Sequence, residues 1–306
     1  MNSEALDLRK ISTFLAIAFG LSWSAALVLY LAGIGFDSLL GVLLLVILFM
    51  WAPAIAAIVT QLQYGESIRE GCGLTVGRLR WVAVGWLAPA VLIGVTIGVG
   101  TLLPGVTFTA EYGTYLLDLG LSEPEVEAAL ATVERFPVSP AVLFLLQGLV
   151  VGLTINAAAA LGEELGWRGL LLDELAPLGF WKLSVLTGAV WGIWHTPIIV
   201  QGYNFPEAPL VGVAVMTAAT IAMAPIYTYI TVRARSVLAP TFFHGSFNGL
   251  GALSLVYLTG AGNLLIGPVG IAGIIAALLF TAVCVVHDRT IADEPITTGN
   301  PLSPWE

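Results

Sequence analysis

The sequence predicts an all-α protein, a polytopic membrane bundle of eight transmembrane helices with both termini on the cytoplasmic side. Three observations predict it. Of 306 residues, 58% are hydrophobic and only 10% charged, with a mean hydropathy of +0.94; a soluble domain carries about 25% charged residues. A bilayer's hydrocarbon core is ~30 Å thick and takes roughly 20 apolar residues of helix to cross, and such stretches recur eight times. The basic residues, finally, gather on alternate connecting segments.

The apolar stretches run near 11–33, 39–61, 81–103, 140–161, 183–200, 209–231, 237–258 and 264–286. The first is too long for the core of a secretory signal and no small-residue cleavage site follows it. The fifth is the shortest. Between the third and fourth lies segment 104–139, which carries Glu111, Asp118, Glu123, Glu125, Glu127 and Glu134. Within it, Ser122 and Glu125 have the spacing of a capping box, which predicts a short helix to about Arg135. The charge run reads as a solvated cap. Residues 1–290 thus form one membrane-embedded domain, and 291–306 a polar C-terminal tail. The two cysteines, Cys72 in a polar stretch and Cys284 in an apolar one, are not expected to meet. No disulfide framework is possible with so few.

Eight spans put both termini on one side of the membrane. That side collects Arg9, Lys10, Arg69, Arg78, Arg80, Arg168, Lys182, Arg233, Arg235 and Arg289, against Arg135 alone on the other. This bias assigns the termini to the cytoplasm of a multi-pass cell-membrane protein. The lipid bilayer is its surrounding partner. A net charge of −9 argues against nucleic-acid binding.

An ionisable side chain at the centre of a transmembrane helix costs roughly 2.5–3.5 kcal/mol on insertion scales and is a functional-site hypothesis by default. Here such side chains fall in three places: Glu163, Glu164 and Arg168 in LGEELGWRG, His195 after WGIW, and His244 with Asn248 in HGSFN. Glu164 and Arg168 are four apart and can pair on one helix face. Glu163 is rotated by about 100° from Glu164, so one carboxylate is held while the other is free. His244 and Asn248, also four apart, share a face. Asn156, two turns before Glu163, lines the same cavity or bonds a neighbouring helix. His287 is read as interfacial, with no role. At 1.5 Å per residue, His244 should lie about 10 Å from the cytoplasmic surface, Asn248 about 16 Å and His195 about 18 Å. Glu163 is expected near the cytoplasmic end of its span. These depths put the site in the cytoplasmic half.

A carboxylate and an imidazole facing one another can hold and activate water. A second imidazole and an amide one turn apart suit a developing oxyanion. Together they suffice for amide hydrolysis.

In order, EExxxR, an aromatic followed by xxxH, and HxxxN resemble the CAAX prenyl protease and bacteriocin-processing family, also called Abi, which includes the Ras-converting type of CAAX endopeptidase. The resemblance covers roughly 140–260. The second motif commonly opens with Phe, where this chain has Trp191. The resemblance implies a glutamate-dependent intramembrane endopeptidase. Glu163 would be the general base and His195 its partner on the catalytic water. His244 and Asn248 would form the oxyanion site, and Glu164 and Arg168 would support it. The implied substrate is a membrane-associated peptide or lipidated protein, cut near its C-terminus and reached from the membrane or the cytoplasm.

No HExxH occurs, and the expected chemistry is free of cofactors, although Glu163, His195 and His244 could instead hold zinc with water in the fourth position. Ser246 does not sit in a G-x-S-x-G elbow. Two other classes compete: a non-enzymatic immunity or scaffold protein of the same fold, and a transporter. A pure binder has no need of base and oxyanion donors together. A transporter is expected to show repeats or paired broken helices, which the sequence lacks. Pro53, Pro89, Pro197 and Pro225 read as kinks, Pro197 bending the fifth span around the site.

Overall fold

The computed structural model describes residues 6–305 apart from Asp37, so the first five residues and Glu306, the last of the expected tail, lie outside it, as does the side chain of Asp118. The chain is a helical membrane bundle. Five helices are long and apolar enough to cross a bilayer: α1 (Leu8–Leu31), α2 (Leu39–Tyr64), α3 (Leu79–Gly100), a helix over Pro209–Ala234 and one over Asn263–Thr290. Pro140–Leu153 and Ile155–Leu178, bent by 50° at a short break, are long and apolar enough together to count as a sixth if the pair is one span.

Local chemistry sets the ends. Asp7 accepts a bond from Lys10 N at 2.9 Å and opens α1; Ser38 does the same for Gly41 N at 3.0 Å and opens α2. Gly65, with φ of 71°, closes α2 in the left-handed conformation that glycine tolerates. In the segment 104–139, the capping box of Ser122 and Glu125 is formed and α4 runs Glu123–Val133, as its spacing predicted. Hydrogen bonds from Ser122 hold the Glu125 carboxyl below its ordinary range. A two-stranded antiparallel ribbon, β1 (Thr107–Phe108) with β2 (Leu258–Thr259), pairs Thr107 with Thr259 and ties this segment to the chain after the HGSFN motif.

The fourth apolar stretch is not one helix. α5 (Pro140–Leu153) stops at Thr154, whose φ of −118° and ψ of −95° are non-helical. Thr154 Oγ1 donates to Val150 O at 2.8 Å, a back-bond that competes with the helical ladder. α6 (Ile155–Leu178) then continues well past Glu163, through a π-helical turn over Leu165–Leu170. The fifth and seventh stretches are likewise interrupted. α7 (Phe180–Trp194) ends at His195 and resumes as Thr196–Ile199, with Pro197 in its first turn. After α8 (Pro209–Ala234), α9 (Leu238–Leu250) gives way to Leu253–Tyr257. α10 (Ile271–Thr290) closes the bundle.

Near the termini Lys10 is buried, not a surface charge, and its ammonium bridges Glu66 and Glu174. This triad ties the start of α1, the end of α2 and the last turns of α6. The tail is docked as well. Trp181 Nε1 donates to Thr297 O at 3.1 Å, Leu302 N to Ala176 O at 3.0 Å, and the Ile296 and Thr297 amides to the buried Asp288 carboxylate. The two cysteines are free and buried.

α9 is the centre of the site's architecture, packing on α3, α5, α6 and α8. Small residues let it approach. Gly245 and Gly249 on α9 face Gly152 and Gly148 on α5, and a Cβ added at Gly152 would stand 2.5 Å from Ser246 Cα. A Cβ added at Gly192 on α7 would likewise stand 2.5 Å from Thr217 Cα of α8, and one at Gly188 2.7 Å from Ile221 Cα. Gly162 and Gly166 of α6 press on Met50, Trp51 and Pro53 of α2. Each helix that carries a motif therefore has glycines four residues apart at its contact with another helix, the close-packing pattern of membrane bundles.

Candidate active site

The end of α6 brings two carboxylates into the protein interior. Glu163 is 2% exposed and Glu164 fully buried. As their offset around the helix requires, they face different partners. Glu163 Oε2 accepts a 2.7 Å bond from Trp191 Nε1 on α7. Glu164 Oε1 accepts from Arg168 Nη1 at 3.1 Å, the four-residue pair expected from the spacing, and also meets His244 Nδ1 at 2.8 Å. The sequence did not reveal this second contact, which joins α6 to α9.

Arg168 is buried in the π-helical turn, its guanidinium 4.2 Å from the ring centroid of Trp191 and 4.0 Å from that of Tyr227. A planar cation between two aromatic faces gains from both quadrupoles. Nothing in the spacing of the motifs pointed to Tyr227, which comes from α8. The only signal was a tyrosine inside a strongly apolar span.

His195 caps the end of α7. Its Nδ1 lies 2.7 Å from Trp191 O. A carbonyl can only accept, so Nδ1 carries the proton and, in the neutral ring, Nε2 presents a lone pair. His244 and Asn248 project from one face of α9, His244 buried and Asn248 exposed. Asn156 resolves to the second of its two readings: its Nδ2 donates to Gly245 O at 3.2 Å, across the helix contact. His287 lies far along α10 and its Nδ1 meets Tyr229 OH at 2.7 Å.

One chamber of about 80 Å³ is lined by Glu163, His195, His244 and Asn248 together, with Trp191, Tyr203 and Asn204 among its other walls. The four residues singled out by sequence thus share one space. Glu164 and Arg168 do not line it; they sit behind Glu163 and His244. Among the described residues, no group of three His, Cys, Asp or Glu side chains is arranged to hold a metal ion. Glu163, His195 and His244, the alternative zinc set, share the chamber without forming such a cluster.

The depth of the site differs from the expectation. α6 does not end after Glu163; Glu174, bound to Lys10 at the termini-side rim, lies eleven residues on, about 16 Å along the axis. α9 starts inside the bundle, with Ala239 against Gly85, already six residues into α3. His244 is therefore about 16 Å from the start of α3, not 10 Å. The chamber therefore lies farther from the termini end of the bundle than helix counting along each apolar stretch puts it. Behind Glu163 and His244 the packing is solid: Trp167, Arg168, Tyr227 and Phe243 are all 0–1% exposed.

Two further cavities adjoin it on the other side. One of about 400 Å³ shares Tyr203, Asn204, Phe247 and Asn248 with the chamber. Another of about 420 Å³ reaches Asn248 from Tyr112 and Tyr115 of the acidic segment. A cleft of about 730 Å³ at the termini end between α3, α8 and α10 shares none of the chamber's lining residues.

Comparison with known proteins bears on residues 140–250, which match the family model described as Rce1-like, type II CAAX prenyl endopeptidase Rce1-like. A stretch of 48 residues, 15% of this chain, is 42% identical to the CAAX prenyl protease 2 of Methanococcus maripaludis. That stretch spans 18% of the relative's length.

Proposed function

We propose, from the likeness of residues 140–250 to the type II CAAX endopeptidases, that this multi-pass membrane protein is a glutamate-dependent intramembrane endopeptidase. The observation that carries the reading is the single chamber shared by Glu163, His195, His244 and Asn248. In the mechanism, a water in the chamber lies between the free oxygen of Glu163 and Nε2 of His195. Glu163 takes its proton as general base, and His195, oriented by its bond to Trp191 O, accepts from the water and fixes the lone pair for attack. Trp191 Nε1 holds the other Glu163 oxygen, so the base does not rotate away.

Attack on the peptide carbonyl forms a tetrahedral oxyanion. Asn248 Nδ2–H and His244 Nε2–H, one turn apart, stabilise it. For Nε2 to donate while Nδ1–H faces Glu164, the His244 ring carries both protons and Glu164 is its counter-charge. Collapse expels the amine, which takes the proton from Glu163. The substrate is a peptide or lipidated protein associated with the bilayer. With Arg168 set aside as buried inside the bundle, the remaining basic residues are still biased nine to one toward the termini side, which supports eight crossings with the termini in the cytoplasm.

The test replaces Glu163 by Gln, which keeps volume and removes the base. Purified variant and wild type are compared on a reporter peptide, with folding checked by thermal unfolding in detergent. Loss of turnover in a folded variant is expected; near-normal turnover overturns the assignment. Wild type is also stripped with a strong zinc chelator. Activity retained at negligible zinc supports the glutamate mechanism. Activity that disappears and returns with zinc makes Glu163, His195 and His244 a ligand set instead.

A further inference from the structure

The 730 Å³ cleft carries both signs of charge on its walls. It lies at the termini end, between the start of α3 and the ends of α8 and α10. Arg78 and Arg80 line it from α3, and Asp293 and Glu294 from the chain after α10. None of these four forms an ion pair with another described residue, whereas Arg233, also on the wall, is already paired with Asp288. Positive charge is in excess at the α3 wall. Burial, then the neighbouring Arg235 and Arg80, hold the Arg78 guanidinium below its ordinary range, and Glu294 opposes them more weakly. α3 also opens here without a side-chain cap, so the positive end of its dipole adds to the arginines.

Beneath this rim the walls turn apolar. Val84 lies one helical turn past Arg80, and Val283 one turn before His287, about 6 Å deeper in each case. Both valines are exposed on spanning helices, so the cleft opens sideways toward lipid. Trp81 stands between the two zones, edge-on to Tyr229 and His287 with centroids at 5.7 and 5.5 Å. Tryptophan is favoured at that level of a membrane. Two buried donors of these walls, Trp81 Nε1 and Arg233 Nε, have no acceptor among the described residues.

We propose that this cleft binds an aminophospholipid of the surrounding leaflet, with its phosphate at Arg78 and Arg80, its primary ammonium at Asp293 and Glu294, and its acyl chains along Val84, Phe280 and Val283. The cleft falls within the roughly 300–1,000 Å³ of small-molecule sites, and basic pockets between membrane helices suit lipid headgroups. A headgroup with both charges answers both sets of unpaired side chains. A glycerol headgroup brings no cation to the two carboxylates. A choline cation has no N–H to donate, whereas a primary ammonium has three. The proposal needs only the membrane reading and stands apart from the endopeptidase one.

The test uses the full chain purified in detergent. It is titrated with phosphatidylethanolamine, phosphatidylglycerol and phosphatidylcholine of the same acyl chains, and bound lipid is counted by native mass spectrometry. Arg78→Gln and Arg80→Gln each remove a phosphate partner, two sites so that one misfolded variant does not decide the matter. Asp293→Asn combined with Glu294→Gln removes the ammonium partners. Lys182→Gln changes an exposed cation outside the cleft. Unfolding temperatures without lipid identify the folded variants. One phosphatidylethanolamine is expected to bind roughly fivefold more tightly than either other lipid, the worth of about one partly exposed ion pair. Arg78→Gln and Arg80→Gln should weaken all three lipids. Asp293→Asn with Glu294→Gln should weaken phosphatidylethanolamine alone, to the level of phosphatidylcholine, and Lys182→Gln should change nothing. Equal binding of the three lipids, or tighter binding of phosphatidylglycerol, overturns the proposal. So does binding that both arginine variants leave intact. Phosphoethanolamine and inorganic phosphate are added in separate arms. If either displaces the lipid at equal concentration, the cleft is a site for a soluble phosphate and the lipid assignment falls.

Discussion

Arg168 donates to Glu164, lies between two aromatic rings and stands behind both Glu163 and His244. Lysine keeps the charge but has neither the fork nor the flat face. Arg168→Lys should therefore lower the unfolding temperature in detergent and the turnover together. Arg168→Ala, which leaves the buried Glu164 carboxylate with His244 alone, should cost more than Arg168→Lys, up to the roughly 3–5 kcal/mol of breaking other buried pairs. An unchanged unfolding temperature for both variants would remove Arg168 from its supporting role. Asn248 makes the opposite case. Its side chain is exposed and makes no hydrogen bond to another of the described residues, so Asn248→Ala should leave stability nearly unchanged. As an oxyanion donor its loss should cost roughly 2.7–4 kcal/mol of transition-state stabilisation, seen in kcat with little change in KM. A change confined to KM would make it a binding residue.

At the scale of elements, the glycine pairs set the distances between motifs. The Gly192 contact with Thr217 lies one turn before His195. Gly192→Ala forces α7 from α8 by a few tenths of an ångström or more, an overpacking worth typically 1–3 kcal/mol. It should reduce activity more than it reduces expression, checked by turnover per folded molecule. The motifs, the helix that carries each and the α4 capping box were legible in the sequence because each depends on spacing within one helix. The α6 bend at Thr154 was not, since threonine is no helix breaker by rule and the bend needs α9 beside it. Nor was the π-helical turn that carries Arg168, because the hydrophobic pattern on both sides of it reads as ordinary helix. The link between Glu164 and His244 escaped for the same reason as Tyr227: these contacts join residues 80 and 59 positions apart, and sequence gives no register between helices.

For the whole molecule, the tail acts as a fastener at the termini end. Asp288 is fully buried, pairs with Arg233 and accepts from three groups of Ile296 and Thr297. Removing residues 291–306 uncovers this carboxylate and the docking surface on α6 and α7. The truncated protein should unfold at a lower temperature in detergent while a folded remainder keeps its turnover, because the chamber lies back from the termini end. Equal unfolding temperatures would show the docked tail to contribute nothing. The reading of 291–306 as a merely polar extension missed this, since its apolar anchors, Ile296, Leu302 and Trp305, are too sparse to form a pattern.

The 80 Å³ chamber has room for a few water molecules and none for a residue of polypeptide. At rest it stores the reagent and excludes the reactant. A passing helix of a neighbouring membrane protein, with every amide already bonded to its own carbonyls, has no free backbone group to offer Asn248. A frayed or unwound stretch has both free amides and a thin profile. On the endopeptidase reading, only a chain that has already lost its fold at the point of attack would be cut, and intact neighbouring helices would be spared.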